Sequence, residues 1–119
     1  MSRKLTISLK SPQEAVAESK ARVLNTLATA EYAGEFLTFT APELLFQVFT
    51  SNRWQLIGKL QALGTVSIRE LARQLNRDVR RVHDDVKALL EHGIIEQNES
   101  GVSVPFEEIH TDFTLKKAA

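Results

Sequence analysis

The sequence predicts an α+β fold, and three observations carry that prediction. Residues near both ends alternate apolar and polar with the period of a half-buried strand, and the middle of the chain repeats apolar residues at helical spacing. The joints between these segments hold capping residues and glycines where helices begin and stop. A chain of 119 residues, 43% hydrophobic and 25% charged, is large enough to bury a core without covalent staples.

Lys4 to Lys10 places Leu5, Ile7 and Leu9 on one face and Thr6 and Ser8 on the other, which predicts a strand. Ser11-Pro12-Gln13-Glu14 then supplies a cap, a proline at the first helical position and a glutamate three residues after the cap. The helix that starts at Pro12 is amphipathic. Its apolar stripe runs through Ala15/Val16, Val23, Leu24, Leu27 and Ala28 and is expected to face a core, while Glu18, Lys20, Arg22 and Asn25 form the polar face. Gly34 is its expected stop, and Glu35 to Thr40 reads as a second strand, so a parallel crossover of right-handed sense is expected.

Pro42 closes that strand and opens a short helix, Glu43 to Phe49, whose Leu44, Leu45, Phe46, Val48 and Phe49 call for burial. Thr50 and Ser51 cap a helix over 52–63, ended by Gly64, with Trp54, Leu56, Ile57 and Leu60 on one side. Ser67-Ile68-Arg69-Glu70 starts a helix over 67–75 that turns Leu71, Ala72 and Leu75 inward, and Asn76-Arg77 makes a tight turn. Asp78 caps a helix over 78–92 with a stripe of Val79, Val82, Val86, Leu89 and Leu90, stopped by Gly93. Ile94 to Gln97, the turn Asn98-Glu99-Ser100-Gly101 and Val102 to Val104 read as a hairpin. Glu108 to Leu115 alternates as a last strand. The chain thus falls into an N-terminal β-α-β extension (1–41), a helical and hairpin stretch (42–105), and a C-terminal strand and tail (106–119).

Composition excludes several classes of function. Zero cysteines rule out disulfides, a thiol nucleophile and thiolate metal sites. His83, His92 and His110 share no metal spacing, and the adjacent pairs Asp84/Asp85 and Glu107/Glu108 point different ways on a helix or strand, so neither forms an acid/base pair. The five glycines form no phosphate loop. No enzyme, cofactor or metal is expected. With no apolar run of membrane length and no hydrophobic leader after Met1-Ser2-Arg3-Lys4, the expected location is the cytoplasm. The net charge is zero but unevenly spread: residues 65–92 hold six basic and five acidic side chains, whereas residues 93–119 hold two basic and five acidic ones. A nucleic-acid partner would have to be met by local charge.

The order helix, helix, tight turn, helix, hairpin is that of a winged helix-turn-helix. Leu71-Ala72-x-x-Leu75, the short turn, the valine-based stripe and Gly93-Ile94-Ile95-Glu96 make the stretch from Ser67 to Glu96 resemble bacterial winged-helix regulators of the multiple-antibiotic-resistance (MarR-like) type. Nearly the whole chain is similar to a family of small bacterial and archaeal predicted transcriptional regulators. The segments that carry this likeness are Ala41-Pro42-Glu43-Leu44-Leu45, Arg53-Trp54-Gln55-Leu56, Ser67 to Arg73, Val82-His83-Asp84-Asp85-Val86 and Glu108 to Phe113. The resemblance implies DNA binding, and for some members an antitoxin role beside a toxin.

The residues permit the same reading by themselves. At 100° per residue with Val82 at 0°, the apolar stripe falls within about 80° of Val82, leaving Arg80, Arg81, Asp84, Lys87 and Ala88 on the opposite face. Guanidinium forks there match guanine O6 and N7 in the major groove, and Asp84 would either accept from cytosine N4 or repel phosphate. Arg69 and Arg73 on the preceding helix, with Arg77 in the turn and Lys87, are expected on phosphates. Asp85, at the edge of the face, is expected to pair with Arg69 or Arg73. The hairpin tip lacks Arg and Lys, so an idle wing is expected. The expected activity is sequence-specific binding of double-stranded DNA by a homodimeric regulator, most simply a repressor. The dimer expectation rests on apolar terminal strands (Phe36, Phe39, Ile109, Phe113, Leu115) that pair within or between chains. The alternative is an antitoxin or interaction module that neutralises a toxin-like partner protein.

Overall fold

The computed structural model describes residues 2–29 and 34–114. In chain order these residues form β1 (Lys4–Leu9), α1 (Pro12–Thr29), β2 (Glu35–Phe39), α2 (Pro42–Val48), α3 (Ser51–Leu63), α4 (Ile68–Leu75), α5 (Val79–Glu91), β3 (Glu96–Asn98), β4 (Gly101–Ser103) and β5 (Glu108–Phe113). The fold is α+β. It divides into two compact units, one made of Met1–Phe46 and Glu108–Ala119, the other of Gln47–Glu107. Leu115, expected at the end of the last strand, lies outside the described residues.

In the first unit β1 is the middle strand of a parallel sheet in the order β2-β1-β5. The strands pair within one chain: Leu5 lies beside Ile109, and Leu9 beside both Phe39 and Phe113. Leu5, Ile7 and Phe39 on one sheet face are buried, as the alternation requires. The other face carries Thr6, Ser8 and Phe36. Ser8 is buried there, and its hydroxyl is 3.3 Å from that of Thr38. A bidentate pair between Arg3 and Glu35, at 2.7 and 3.0 Å, ties the starts of β1 and β2 together.

The crossover helix α1 begins as its sequence demands. The Glu14 amide donates to Ser11 Oγ (3.2 Å), and that hydroxyl donates back to the Glu14 carboxylate (3.1 Å). Its orientation reverses the expectation. Glu18 and Arg22 of the nominally polar side face the sheet, where Glu18 accepts from Lys10 at 3.1 Å and the Arg22 guanidinium sits 3.9 Å over the Phe36 ring, while Lys20 and Asn25 stay exposed. Val16, Val23, Leu24 and Leu27 are instead exposed, Leu27 by 77%. The physical reason is the phase of β1. A crossover helix must cover one sheet face, and the face it covers holds Thr6, Ser8 and Lys10; Glu18 pairs the Lys10 ammonium, which a leucine stripe would leave without that partner.

The α2 segment also departs from expectation. Leu45 is buried, but Leu44 and Phe46 are about half exposed; Phe46 meets Phe113 edge to face at 6.2 Å. A helix of two turns has too little surface to bury five large side chains on one side.

The second unit is built on Phe49, Leu56, Ile57, Leu60, Leu71, Ala72, Val82, Val86, Leu89, Ile94, Ile95, Val102 and Phe106, all buried. Thr50 caps α3 by accepting from the Arg53 amide (3.3 Å), and Trp54 stacks on Phe49 at 4.7 Å. Ile94 and Ile95 do not begin the hairpin. Their amides return to the Leu89 carbonyl (2.9 and 3.4 Å) after Gly93 at φ 76°, so they seal the end of α5 and the strand begins at Glu96. The hairpin turn is correspondingly shorter, with Asn98 paired to Gly101. Val66, between α3 and α4, exchanges both backbone bonds with Val102 (3.1 and 2.8 Å), which docks the hairpin beside the helices.

Candidate nucleic-acid interface

The interface is built on α4, the turn after it, and α5. Ser67 caps α4 by accepting from the Glu70 amide at 3.1 Å. Asn76, in the left-handed conformation at φ 54° and ψ 48°, closes it, a conformation asparagine tolerates better than other side chains. Asp78 then caps α5 through the Arg81 amide at 3.3 Å. Two helices are therefore joined by a turn whose conformation is locally specified. Leu71 and Ala72 on α4 and Val82, Val86 and Leu89 on α5 are buried. Val79, expected in that stripe, is 44% exposed, because as the first residue of α5 it precedes the turn that packs.

The outward side of α5 carries Arg80, Arg81, Asp84 and Lys87, all exposed, and Arg69 is exposed on α4. Among the described residues Arg69, Arg80, Arg81 and Lys87 enter no ion pair, so their charge is available to a ligand. Asp84 shares the face, with its side chain 76% exposed. Glu91 is exposed on the same side at the last turn.

Three arginines are occupied. Arg73 forms a bidentate pair with Glu70, its Nε donating at 2.9 Å; Gln74 adds a further bond to the same carboxylate. The hydrogen bonds from Arg73 and then Gln74 hold the Glu70 carboxyl down to about 2, and Glu70 raises Arg73 in return. Asp85 does not pair with Arg69 or Arg73. Its Oδ1 accepts from Arg53 Nε at 3.0 Å and its Oδ2 from Arg77 Nη2 at 2.8 Å. The reason is position: Asp85 lies on the side of α5 that turns toward the start of α3, and both its partners are about four-fifths buried. Arg77 is thus drawn into the protein instead of standing ready for phosphate.

Arg53 was the residue that patterning missed. It sits in the first turn of α3, where a cation is disfavoured by the helix dipole, and that local conflict is the signal that could have exposed a tertiary role. Its Nη1 also reaches the Val48 carbonyl at 2.9 Å, so one guanidinium links the end of α2, the start of α3 and the middle of α5.

The hairpin tip offers no cation. Glu99 and Ser100 form the turn, the Ser100 amide donating to Asn98 Oδ1 at 2.8 Å, and Glu96 and Glu99 add negative charge. Among the described residues no group of three or more His, Asp or Glu converges as metal ligands, and no helix is long and apolar enough to cross a membrane.

These features define a class: an α+β protein with a parallel-sheet unit and a second unit of three helices and a hairpin, whose last helix presents exposed cations that enter no ion pair among the described residues. The chain belongs to the HVO_A0114 family, whose model matches residues 48–111, more than half of the 119 residues and nearly all of the second unit. No curated protein and no solved structure matches it.

Proposed function

We propose that the second unit is a winged helix-turn-helix that binds double-stranded DNA sequence-specifically, with α5 in the major groove, and that the chain is a cytoplasmic transcriptional regulator acting most simply as a repressor by occupying its operator. The observation that carries this reading is the coincidence of two features. The order α3, α4, tight turn, α5, hairpin, with Val66 bridged to Val102, is the order of a winged helix, and the side of α5 turned away from the core holds Arg80, Arg81 and Lys87, which enter no ion pair among the described residues. Arg53, Arg73 and Arg77 are paired within the unit, which marks Arg69, Arg80 and Arg81 as the guanidinium groups left for a ligand.

Within this reading Arg80 and Arg81 reach base edges, Arg69 and Lys87 hold phosphates, and Arg73 does so on releasing Glu70. Arg77 is a positioning residue: through Asp85 it holds the turn against α5. The acidic wing stays off the DNA. A homodimer supplies the second reading head that a palindromic operator needs, since one small module buries limited interface. The resemblance to regulators of the MarR-like type belongs to this reading, and the alternative is an antitoxin or interaction module that neutralises a partner protein.

The experiment is recovery of bound fragments from genomic DNA followed by titration of variants on the recovered site. Arg80→Ala or Arg81→Ala should cost about 1–3 kcal/mol and relax preference at one base pair, while Arg69→Ala should weaken all sequences alike. The logarithm of affinity should fall with the logarithm of salt at about −0.9 per phosphate contacted, so Arg69→Ala should flatten the slope by about one such step. Asp84→Ala separates cytosine reading, lost with discrimination, from phosphate repulsion, relieved at every sequence. If both Arg80→Ala and Arg81→Ala leave affinity and preference unchanged in folded protein, α5 is not the reading helix.

A further inference from the structure

We infer that the outward apolar stripe of α1 is the seam of the homodimer, formed by packing against α1 of a second copy, antiparallel across a two-fold axis. The inference rests on the dimeric reading above and assigns it a surface. The three strands already pair within one chain, with β2 and β5 at the edges, so the sheet forms without strand exchange. The four most exposed large apolar side chains among the described residues lie on the helix. Val16, Val23, Leu24 and Leu27 are 56%, 58%, 67% and 77% exposed, and they lie on the side of α1 opposite Glu18 and Arg22, which hold the sheet. The four side chains form a patch on the order of 400 Å², the size at which a contiguous apolar surface on a soluble chain is usually functional. Rolling the helix to hide the stripe would set leucines against Lys10 and Ser8, so the two sides of α1 are each matched to a different surface.

The occupant follows from spacing, area and charge. Val16, Lys20, Val23 and Leu27 recur at alternating four- and three-residue intervals, the pattern of a seam between two helices. A second α1, 18 residues and so about 27 Å long, has the matching width and length. Two patches bury on the order of 800 Å² of apolar surface, and their small and polar margins bring the total near the ~1,200 Å² at the low end of stable interfaces. Charge decides direction. In a parallel pair Lys20 would face its own copy; in the antiparallel register that sets Val16 opposite Leu27, each Lys20 faces Val23 and its stem lies along the seam with the ammonium at the edge. The residues flanking that seam, Ala17, Ser19, Leu24 and Thr26, carry no charge that would oppose the approach. A groove of about 250 Å³ lined by Arg22, Val23, Thr26, Leu27, Gly34 and Phe36 lies at the end where the partner's Val16 arrives, with the Arg22 guanidinium held over the Phe36 ring.

The test is sedimentation equilibrium of the whole chain without DNA, from about 1 to about 200 µM, a range that brackets a micromolar constant. The wild-type mass should rise from 13.4 kDa toward twice that value, and Leu27→Glu should shift the midpoint at least tenfold or hold the chain monomeric, with unchanged circular dichroism because the site is exposed. Since the protein has no cysteine, a mixture of Lys20→Cys and Val23→Cys chains reports the register directly: the mixed disulfide should form faster than the Lys20→Cys self-disulfide. A wild-type chain monomeric throughout, a Leu27→Glu chain still dimeric, or faster self-linking of Lys20→Cys overturns the inference. So does a monomer that copurifies with a different protein lost on Leu27→Glu, an outcome that would give the face to that protein. A dimer with these properties that binds no DNA leaves the seam standing and removes the reading-head proposal alone.

Discussion

Replacing Asp85 by alanine tests whether one carboxylate organises the second unit. Its oxygens accept from Arg53 at 3.0 Å and from Arg77 at 2.8 Å, and its side chain is 14% exposed against 20% for each partner. Each charge-assisted bond is worth roughly 1.5–3 kcal/mol, and breaking a buried pair by removing one partner costs about 3–5 kcal/mol because the remaining charge is stranded. Two facts bring the expected loss to the lower end. Arg53 keeps the Val48 carbonyl at 2.9 Å, and the residual exposure lets water relax around both guanidinium groups. Arg77 has no such reserve, since its Nη1 is already buried without a partner among the described residues. The expected destabilisation is therefore about 3 kcal/mol. For a unit of this size that lowers the thermal midpoint by on the order of 10–20 °C, read by far-ultraviolet circular dichroism. Asp84→Ala, at a 76% exposed neighbour, should change stability by less than about 0.5 kcal/mol. Adding Arg77→Met to Asp85→Ala should restore part of the loss by removing the stranded charge. An Asp85→Ala protein within about 0.5 kcal/mol of wild type would refute the claim that this cluster holds α5 in place.

Gly101→Ala should detach the hairpin: Gly101 has φ 139°, and an added Cβ would stand 2.3 Å from the Val66 carbonyl oxygen, so the Val66 and Val102 amides should lose hydrogen-exchange protection. Retained protection would show that the neighbouring backbone yields easily. Glu70 should titrate near 2 by carboxyl NMR, and Arg73→Ala should return it toward 4.5. Because its folded value is depressed, the small stabilisation that the pair lends α4 is present above about 4.5, the unfolded value, and is lost as pH falls toward 2. Titration of Glu70 at an ordinary carboxylate position in the wild-type chain would mean that the pair does not persist in solution.

Much of the candidate site was legible because its determinants are local. Ser67, Asp78 and Gly93 act on the amides and carbonyls of their own helix ends, so α4, α5 and the exposed run Arg80, Arg81, Asp84 and Lys87 follow from neighbours in the chain. Asp85 pairs otherwise than expected because helical spacing places it at the edge of the charged face without saying which element packs there, and a buried carboxylate is satisfied by whatever cation the fold brings to it. Arg53, 32 residues away in sequence, is such a cation. The same distinction applies to Arg77, whose place in the turn suits a phosphate but whose guanidinium the fold brings to Asp85.

By itself the sequence determined the order of the elements, the capped helix ends and which residues share a face, because capping and periodicity act over a few residues, whereas the start of β3 at Glu96 depended on how Ile94 and Ile95 fold back on Leu89. Only the tertiary structure decided which face turns inward. Helical spacing in α1 groups Val16, Val23 and Leu27 together, but it contains no information about the surface waiting opposite. That surface is set by the alternation of β1, whose Thr6, Ser8 and Lys10 face the crossover helix and select its charged side through Glu18 and Arg22. Burial is a property of two matched surfaces, and one segment of sequence specifies only one of them.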